Sequence, residues 1–181
     1  LSPWKKITNI VLNIKKSVKI AIIGKYVNLK DAYKSLDEAL IHGGISNKVK
    51  VNLIRIESDN LKINEIKEKL KNVSGLLIPG GFGKRGTEGK ISAIKYAREN
   101  KIPFLGICFG MQMAIIEFAR NKLKIKKAGS SELDKKCYPV IGLINEWDKN
   151  GKIIKGTDKN LGGTMRLGLY EAKLRNNSAI N

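Results

Sequence analysis

The stretch Ile102-Pro103-Phe104-Leu105-Gly106-Ile107-Cys108-Phe109-Gly110-Met111-Gln112 decides the fold. Ile102–Ile107 reads as a short apolar strand, and Met111–Arg120 reads as a helix that begins directly after Gly110. Between them lies a Gly-x-Cys-x-Gly sequence, the cysteine form of a nucleophile elbow. Such a turn is sharp, so glycines are needed on either side where neighbouring chains pass closely. It lifts the sulfur out at the top of a sheet. The following helix aims its N-terminal dipole and N–H groups at that sulfur, which favours the reactive thiolate. A buried structural cysteine is the plain alternative, and the position on an elbow argues against it.

Working outward, the chain alternates strands and helices. Val18–Gly24 is a β-branched apolar run ending in glycine, as in a buried parallel strand. Asp31–His42 places Ala32, Leu36, Ala39 and Leu40 on one helical face, with Asp31 as cap and Gly43-Gly44 as the stop. Val49–Ile56 predicts a second strand, Ile63–Leu70 a short helix and Val73–Pro79 a third strand. The third strand runs into Gly80-Gly81-Phe82-Gly83-Lys84-Arg85-Gly86. Ile91–Asn100 predicts a helix with Ile91, Ile94 and Ala97 inward. Tyr138–Asn145 reads as a strand, Lys149–Lys155 as a hairpin around an Asn-Gly pair, and Leu161–Gly168 as glycine-rich. The pattern predicts an α/β fold with a mainly parallel sheet, covered by helices on both faces. Ligands in such folds sit beyond the carboxyl ends of the strands, where both glycine-bearing loops lie.

A length of 181 residues suits one domain. The net charge of +19 suggests nucleic acid at first sight. The excess is mostly lysine, evenly spread, without the arginine and interleaved aromatics that readers of nucleic acid favour. A solvated lysine surface is the simpler reading, and it would also help to bind polyanionic nucleotides. No apolar run approaches the ~18 residues of a membrane span. Two cysteines, Cys108 and Cys137, make no disulfide framework or zinc spacing and point to a reducing compartment.

Attack on an amide creates an oxyanion that needs two fixed N–H donors. Phe109 offers one, and Gly81, in a loop with little side-chain bulk, is the candidate for the other. A dinucleotide-binding loop is a poor alternative, because the glycine spacing is wrong. A thiol nucleophile also needs a base, normally histidine. The sole histidine, His42, lies near the end of a helix that returns to the opposite sheet edge, ~17–20 Å away by strand length. It reads as a helix-end residue, beyond hydrogen-bond reach of Cys108.

Together these segments resemble the glutaminase domain of the CTP synthases, which are class I (triad) glutamine amidotransferases. Gly106–Gln112 is similar to the class I nucleophile motif. More particular are Gly24-Lys25-Tyr26-Val27, Asp31-Ala32-Tyr33-Lys34-Ser35 through His42-Gly43-Gly44, Pro79–Gly83 through Arg85-Gly86 and Glu88-Gly89, and Gly162-Gly163-Thr164-Met165-Arg166-Leu167-Gly168. The resemblance implies a three-layer class I glutaminase (flavodoxin-like) fold. It implies hydrolysis of L-glutamine, with ammonia passed to a separate synthetase domain that uses ATP and Mg²⁺ to aminate UTP to CTP. GTP would be the allosteric activator. Cys108 would form the glutamyl thioester, with Gly81 and Phe109 as oxyanion donors. Phe82, Gln112 and Glu132 would hold glutamine, and Arg85 would belong to a mobile lid over residues 83–89. Gln112 as a helix-surface residue and Glu132 as a loop carboxylate are the plain alternatives. No metal or cofactor serves this domain itself, and the setting would be a cytoplasmic homo-oligomer, with no nucleic-acid or membrane partner.

The departures matter as much. Residues 1–17 resemble the end of a linker from the synthetase domain, leaving 18–181 as the glutaminase domain. The family's base pair, a histidine and a glutamate, lies beyond the Gly162–Gly168 segment and is expected to be missing here. Glutamine turnover by these residues alone is therefore expected to be poor. Phe109 stands where leucine is common. A non-catalytic pseudo-glutaminase module and another class I amidotransferase are the alternatives. If charge alone drives any binding of duplex or single strands, a salt titration will show it to be weak and fully salt-labile. Tight binding that persists at high salt would overturn the solvated-surface reading.

Overall fold

Apolar strands without alternation need cover on both faces, and this chain builds the middle of its sheet from two of them. The computed structural model describes residues 1–27, 29, 31–81, 83–142, 146–149, 152–155, 171 and 173–177. Residues 1–142 form one compact unit and residues 143–181 a second. The first unit runs α1 (Ser2–Asn13), β1 (Lys16–Gly24), α2 (Lys34–Ser46), β2 (Val49–Glu57), α3 (Ile63–Leu70), β3 (Gly75–Ile78), α4 (Thr87–Glu99), β4 (Phe104–Gly106) and α5 (Phe109–Asn121). Its four strands are all parallel, in the order β2-β1-β3-β4. That is the start of a flavodoxin-like order, with functional loops at the carboxyl edge. The α/β fold expected from the sequence is the fold observed.

After α5, β5 (Ala128–Ser130) and β6 (Tyr138–Ile141) form a separate parallel pair, and both contact α5. In the second unit, β7 (Glu146–Lys149) pairs antiparallel with β8 (Lys152–Lys155), with Lys149 opposite Lys152. The Asn-Gly pair expected at this hairpin lies outside the described residues, but the pairing brackets it. The end of the strand expected at Tyr138–Asn145 and the Leu161–Gly168 stretch also fall outside them, apart from Tyr138–Gly142.

The core sits between β1 and β3 and the helices α3, α4 and α5. Ala21 and Ile23 of β1 and Leu76 and Ile78 of β3 meet Ile66 and Leu70, then Ile91, Ala93, Ile94 and Ala97, then Phe109, Met113 and Ile116. The expected inner face of α4 is thus the observed one. Cover on both faces does not extend to β4, whose Leu105 is 55% exposed. It is the edge strand of the described sheet. Among the described residues no helix is long and apolar enough to cross a membrane.

Several boundaries differ from expectation for identifiable reasons. Residues 1–17, read as a linker, contain the helix α1, with Pro3 in its first turn, though none of its residues is buried. Gly43-Gly44 does not stop α2 but lies inside it. A Cβ on Gly44 would come within 2.6 Å of Val51 Cγ2 and 2.7 Å of the Val49 carbonyl oxygen, so this glycine serves close packing against β2. The helix ends later, where Asn47 Nδ2 donates to the Gly43 carbonyl at 2.8 Å and Lys48 turns left-handed at φ 55°. Asp31 is not the cap either; Tyr33 holds that position. Helix α4 starts four residues earlier than Ile91, straight out of the glycine loop through Gly86 at φ 70°.

Two almost wholly buried charges, Glu117 and Lys90, interrupt the apolar core. Glu117, 1% exposed, accepts three hydrogen bonds at 2.7–3.2 Å from the Arg98 guanidinium, tying α5 to α4. Those hydrogen bonds hold Arg98 above its ordinary pKa. Lys90, in the first turn of α4, is fully buried. Burial, helped by the charge of Lys25 and opposed by Asp59 and Glu57, lowers its pKa to about 8 from 10.5. The unfolded chain then binds more protons between those two values, so stability rises with pH across that window.

Two stability predictions follow from this packing. A Cβ on Gly110 would collide with the Ile78 carbonyl oxygen, whereas one on Gly43 meets nothing within 4 Å. Gly110→Ala should destabilise by about 1–3 kcal/mol, and Gly43→Ala should stabilise by about 0.5–1 kcal/mol, in denaturant titrations. Equal effects would contradict the close approach of α5 to β3. Lys90→Met should flatten the rise in stability between about pH 8 and 10.5, and an unchanged slope would show that Lys90 is not its source.

Candidate active site

The geometry at Cys108 follows from two constraints on either side of it. On the strand side, the Ile107 N–H donates to the Ile78 carbonyl at 2.9 Å, extending the β3–β4 ladder. On the helix side, Gly110 presses against that same Ile78 carbonyl group. Between these contacts the chain must reverse within one residue. Cys108 does so at φ 52° and ψ −109°, a backbone conformation that non-glycine residues rarely adopt. A Cβ on Gly106 would lie 2.6 Å from the Met111 nitrogen and 2.7 Å from the Gly110 carbonyl carbon, so glycine is needed there too. The nucleophile elbow read from the sequence is therefore present. Cys108 is the N-cap of α5, is exposed, and accepts the first helical hydrogen bonds on its carbonyl from Met111 and Gln112 at 3.1 and 3.2 Å.

The loop after β3 runs past this thiol. A Cβ on Gly80 would lie 3.6 Å from the Cys108 Cβ. Gly81 has φ 129°, in the region that favours glycine, and nothing lies within 4 Å of where its Cβ would be. An open, side-chain-free position next to a nucleophile suits a backbone donor to a bound carbonyl oxygen. Phe82 lies outside the described residues. Gln112 is half-buried on the first turn of α5. Its Oε1 is buried and has no hydrogen-bond partner among the described residues. A plain helix-surface glutamine would not bury that atom. The elbow, Gly80-Gly81 and Gln112 thus cluster at the carboxyl edge.

The remaining candidates lie around this group. Glu132 is exposed in the turn after β5, where its N–H donates to the Ser130 hydroxyl at 3.3 Å. Arg85 contacts the segments that follow β1 and β2. Its Nη2 donates to the Lys25 carbonyl at 3.2 Å, its Nε pairs with Asp59 at 3.2 Å, and its guanidinium lies 5.8 Å from the Tyr26 ring centroid. His42 is exposed on α2, two residues before Gly44, which packs against the start of β2. Cys108 follows the opposite end of β4, so the length of the sheet separates the two. Among the described residues no group of three or more His, Cys, Asp or Glu could hold a metal ion.

The polar cluster beneath the elbow was not anticipated. The Phe109 ring is fully buried, with Lys90 Nζ 5.1 Å and Lys25 Nζ 5.7 Å from its centroid. Lys25 Nζ also donates to the Gly83 carbonyl at 2.8 Å. Burial first, then the charge of Arg85, lowers the Lys25 pKa, with Asp59 opposing. A signal existed: Lys90 stands three, four and seven residues before Ala93, Ile94 and Ala97, on the apolar stripe of α4.

Comparison with known proteins agrees with this geometry. The profile of the family "Glutamine amidotransferase class-I" matches residues 28–180. The CTP synthase of Pelagibacter ubique (strain HTCC1062) is 77% identical over 181 residues, covering all of this chain and 34% of that protein. That of Zymomonas mobilis is 52% identical over 183 residues, covering 99% of this chain and 34% of that protein. The chain thus spans about a third of the length of these curated relatives. A solved structure described as Trypanosoma brucei CTPS, glutaminase domain with bound acivicin, superposes with a TM-score of 0.64. It is 35% identical, over 68% of this chain and 48% of that one. The family match covers most of the chain, from residue 28 to 180 and through the elbow, and on that ground this chain belongs to the class-I glutamine amidotransferases.

Proposed function

We propose that this chain is the glutamine-hydrolysing part of a CTP synthase. The observation that carries the reading is the exposed Cys108 thiol, held at positive φ at the N-terminus of α5. Similarity to CTP synthases over the whole chain supports the choice within the family.

In this reading the Cys108 sulfur attacks the carboxamide carbon of L-glutamine. The C–N bond breaks, the nitrogen takes up the one proton given up by the thiol and leaves as ammonia, and a glutamyl thioester remains. Water then releases glutamate and restores the thiol. The Phe109 and Gly81 N–H groups receive the negative charge that develops on the carboxamide oxygen. Gln112 offers its buried Oε1 to the polar end of glutamine, Glu132 faces the ammonium group, and by family resemblance Phe82 would also bind glutamine. Arg85 belongs to the loop that covers the site. The proton traffic requires a base, and His42 stands too far away to be it. By family resemblance, a histidine and a glutamate outside these 181 residues supply it.

The ammonia would serve a synthetase portion in which ATP and Mg²⁺ activate UTP for conversion to CTP, with GTP as allosteric activator. The setting is a cytoplasmic homo-oligomer. In the protein that carries this chain, Cys108→Ala should lower glutamine-dependent CTP formation by about 10³-fold or more. CTP formation from added ammonia should be unaffected. Glutamine use that survives the substitution would contradict the proposal. A wild-type protein that aminates UTP from ammonia but never from glutamine would instead mark this part as a non-catalytic module.

A further inference from the structure

The buried cluster under the elbow contains one group that the chemistry above does not use. Lys90 is fully buried, and its Nζ has no hydrogen-bond partner among the described residues. An ammonium in that position is costly unless something compensates it. What faces it is the ring of Phe109 at 5.1 Å, together with the charges of Asp59 and Glu57. A cation over an aromatic face is attracted to it, most strongly where water is excluded.

We propose that Lys90 is a positioning residue for glutamine hydrolysis, holding the Phe109 ring and so aiming the amide that follows Cys108. This rests on the reading of Cys108 as a glutaminase nucleophile. Phe109 is the first residue of α5, so its ring and its N–H belong to one rigid turn. An oxyanion donor contributes only when fixed in advance where charge will develop. The ring of Phe109 is locked by packing and by two ammonium groups, and its amide is fixed with it. The same cluster reaches the second donor loop, because Lys25 Nζ binds the Gly83 carbonyl two residues after Gly81, and Arg85 binds the Lys25 carbonyl. Both donor segments therefore hang from one buried polar cluster. A methionine at position 90 would fill the space without burying charge. A lysine there, despite its cost, fits the trade of stability for activity seen at strained sites.

The test is a double-mutant cycle in the full-length protein that carries this chain, using Lys90→Met, Phe109→Ala and the pair. Each single variant should lower glutaminase kcat by about 10-fold to 100-fold, the range for a misplaced catalytic group, with the KM for glutamine changed less than about 3-fold. The double variant should be no worse than the poorer single one, because either change removes the same contact. Alkylation of Cys108 by iodoacetamide, which needs no oxyanion donor, should proceed at the wild-type rate. The Tm of Lys90→Met at pH 7 should not fall. A Lys90→Met protein with wild-type kcat, or a double variant whose loss is the product of the single losses, would overturn the proposal. Loss of kcat accompanied by an equal loss of alkylation would also overturn it, as general damage to the elbow. If Lys90→Met does not fold, Phe109→Ala alone decides. An unchanged kcat there refutes the ring's role. Failure of the underlying functional reading would show separately, as a wild-type protein whose glutamine turnover does not depend on Cys108.

Discussion

The site depends on one close contact, where Gly110 of α5 lies directly against the Ile78 carbonyl at the end of β3. That carbonyl also accepts the Ile107 N–H at 2.9 Å. A single backbone oxygen therefore fixes the chain on both sides of Cys108. With its neighbours held there, Cys108 has to take a left-handed φ, and its side chain is turned out of the sheet into solvent. Strain in the backbone is offset by the packing of Met113 and Ile116 beyond it, both almost wholly buried. Reactivity and fold stability thus meet in one turn, and the helix that stabilises the turn also presents its N-terminus to the sulfur.

Around this turn the protein places charge where a stability-optimised core would place none. Lys90 and Glu117 are fully buried, and Glu57 and Asp59 each bury a carboxylate oxygen that has no hydrogen-bond partner among the described residues. Glu117 is compensated by a bidentate guanidinium and reads as a structural tie between α4 and α5. Lys90 has no such tie and lies against the residue after the nucleophile. The two buried charges therefore call for different explanations. Only the second leads toward chemistry.

Much of this was legible in the residues. The run Ile102–Gln112 announced the strand, the elbow and the helix, because glycine, cysteine and apolar residues at that spacing leave few other arrangements. Gly81 was identifiable as a bare position opposite the elbow. The end of α2 was not legible, because Gly43-Gly44 has the composition of a stop. The actual role of Gly44, close passage over Val49 and Val51, depends on a partner strand. The Lys90–Phe109 contact was hidden for a similar reason. A lysine in a chain with a charge of +19 reads as surface, and only the i, i+3, i+4, i+7 spacing of Lys90 with Ala93, Ile94 and Ala97 argued otherwise. Contacts between residues distant in sequence set both features.

In the proposed reaction Cys108 carries the glutamyl group of glutamine as a thioester. Acid quenching of the glutamine-saturated protein, followed by peptide mass spectrometry, measures this directly. A glutamyl adduct is expected on the peptide containing Cys108 and none on the peptide containing Cys137. An adduct on Cys137, or its absence from Cys108 while glutamine is being consumed, would contradict it.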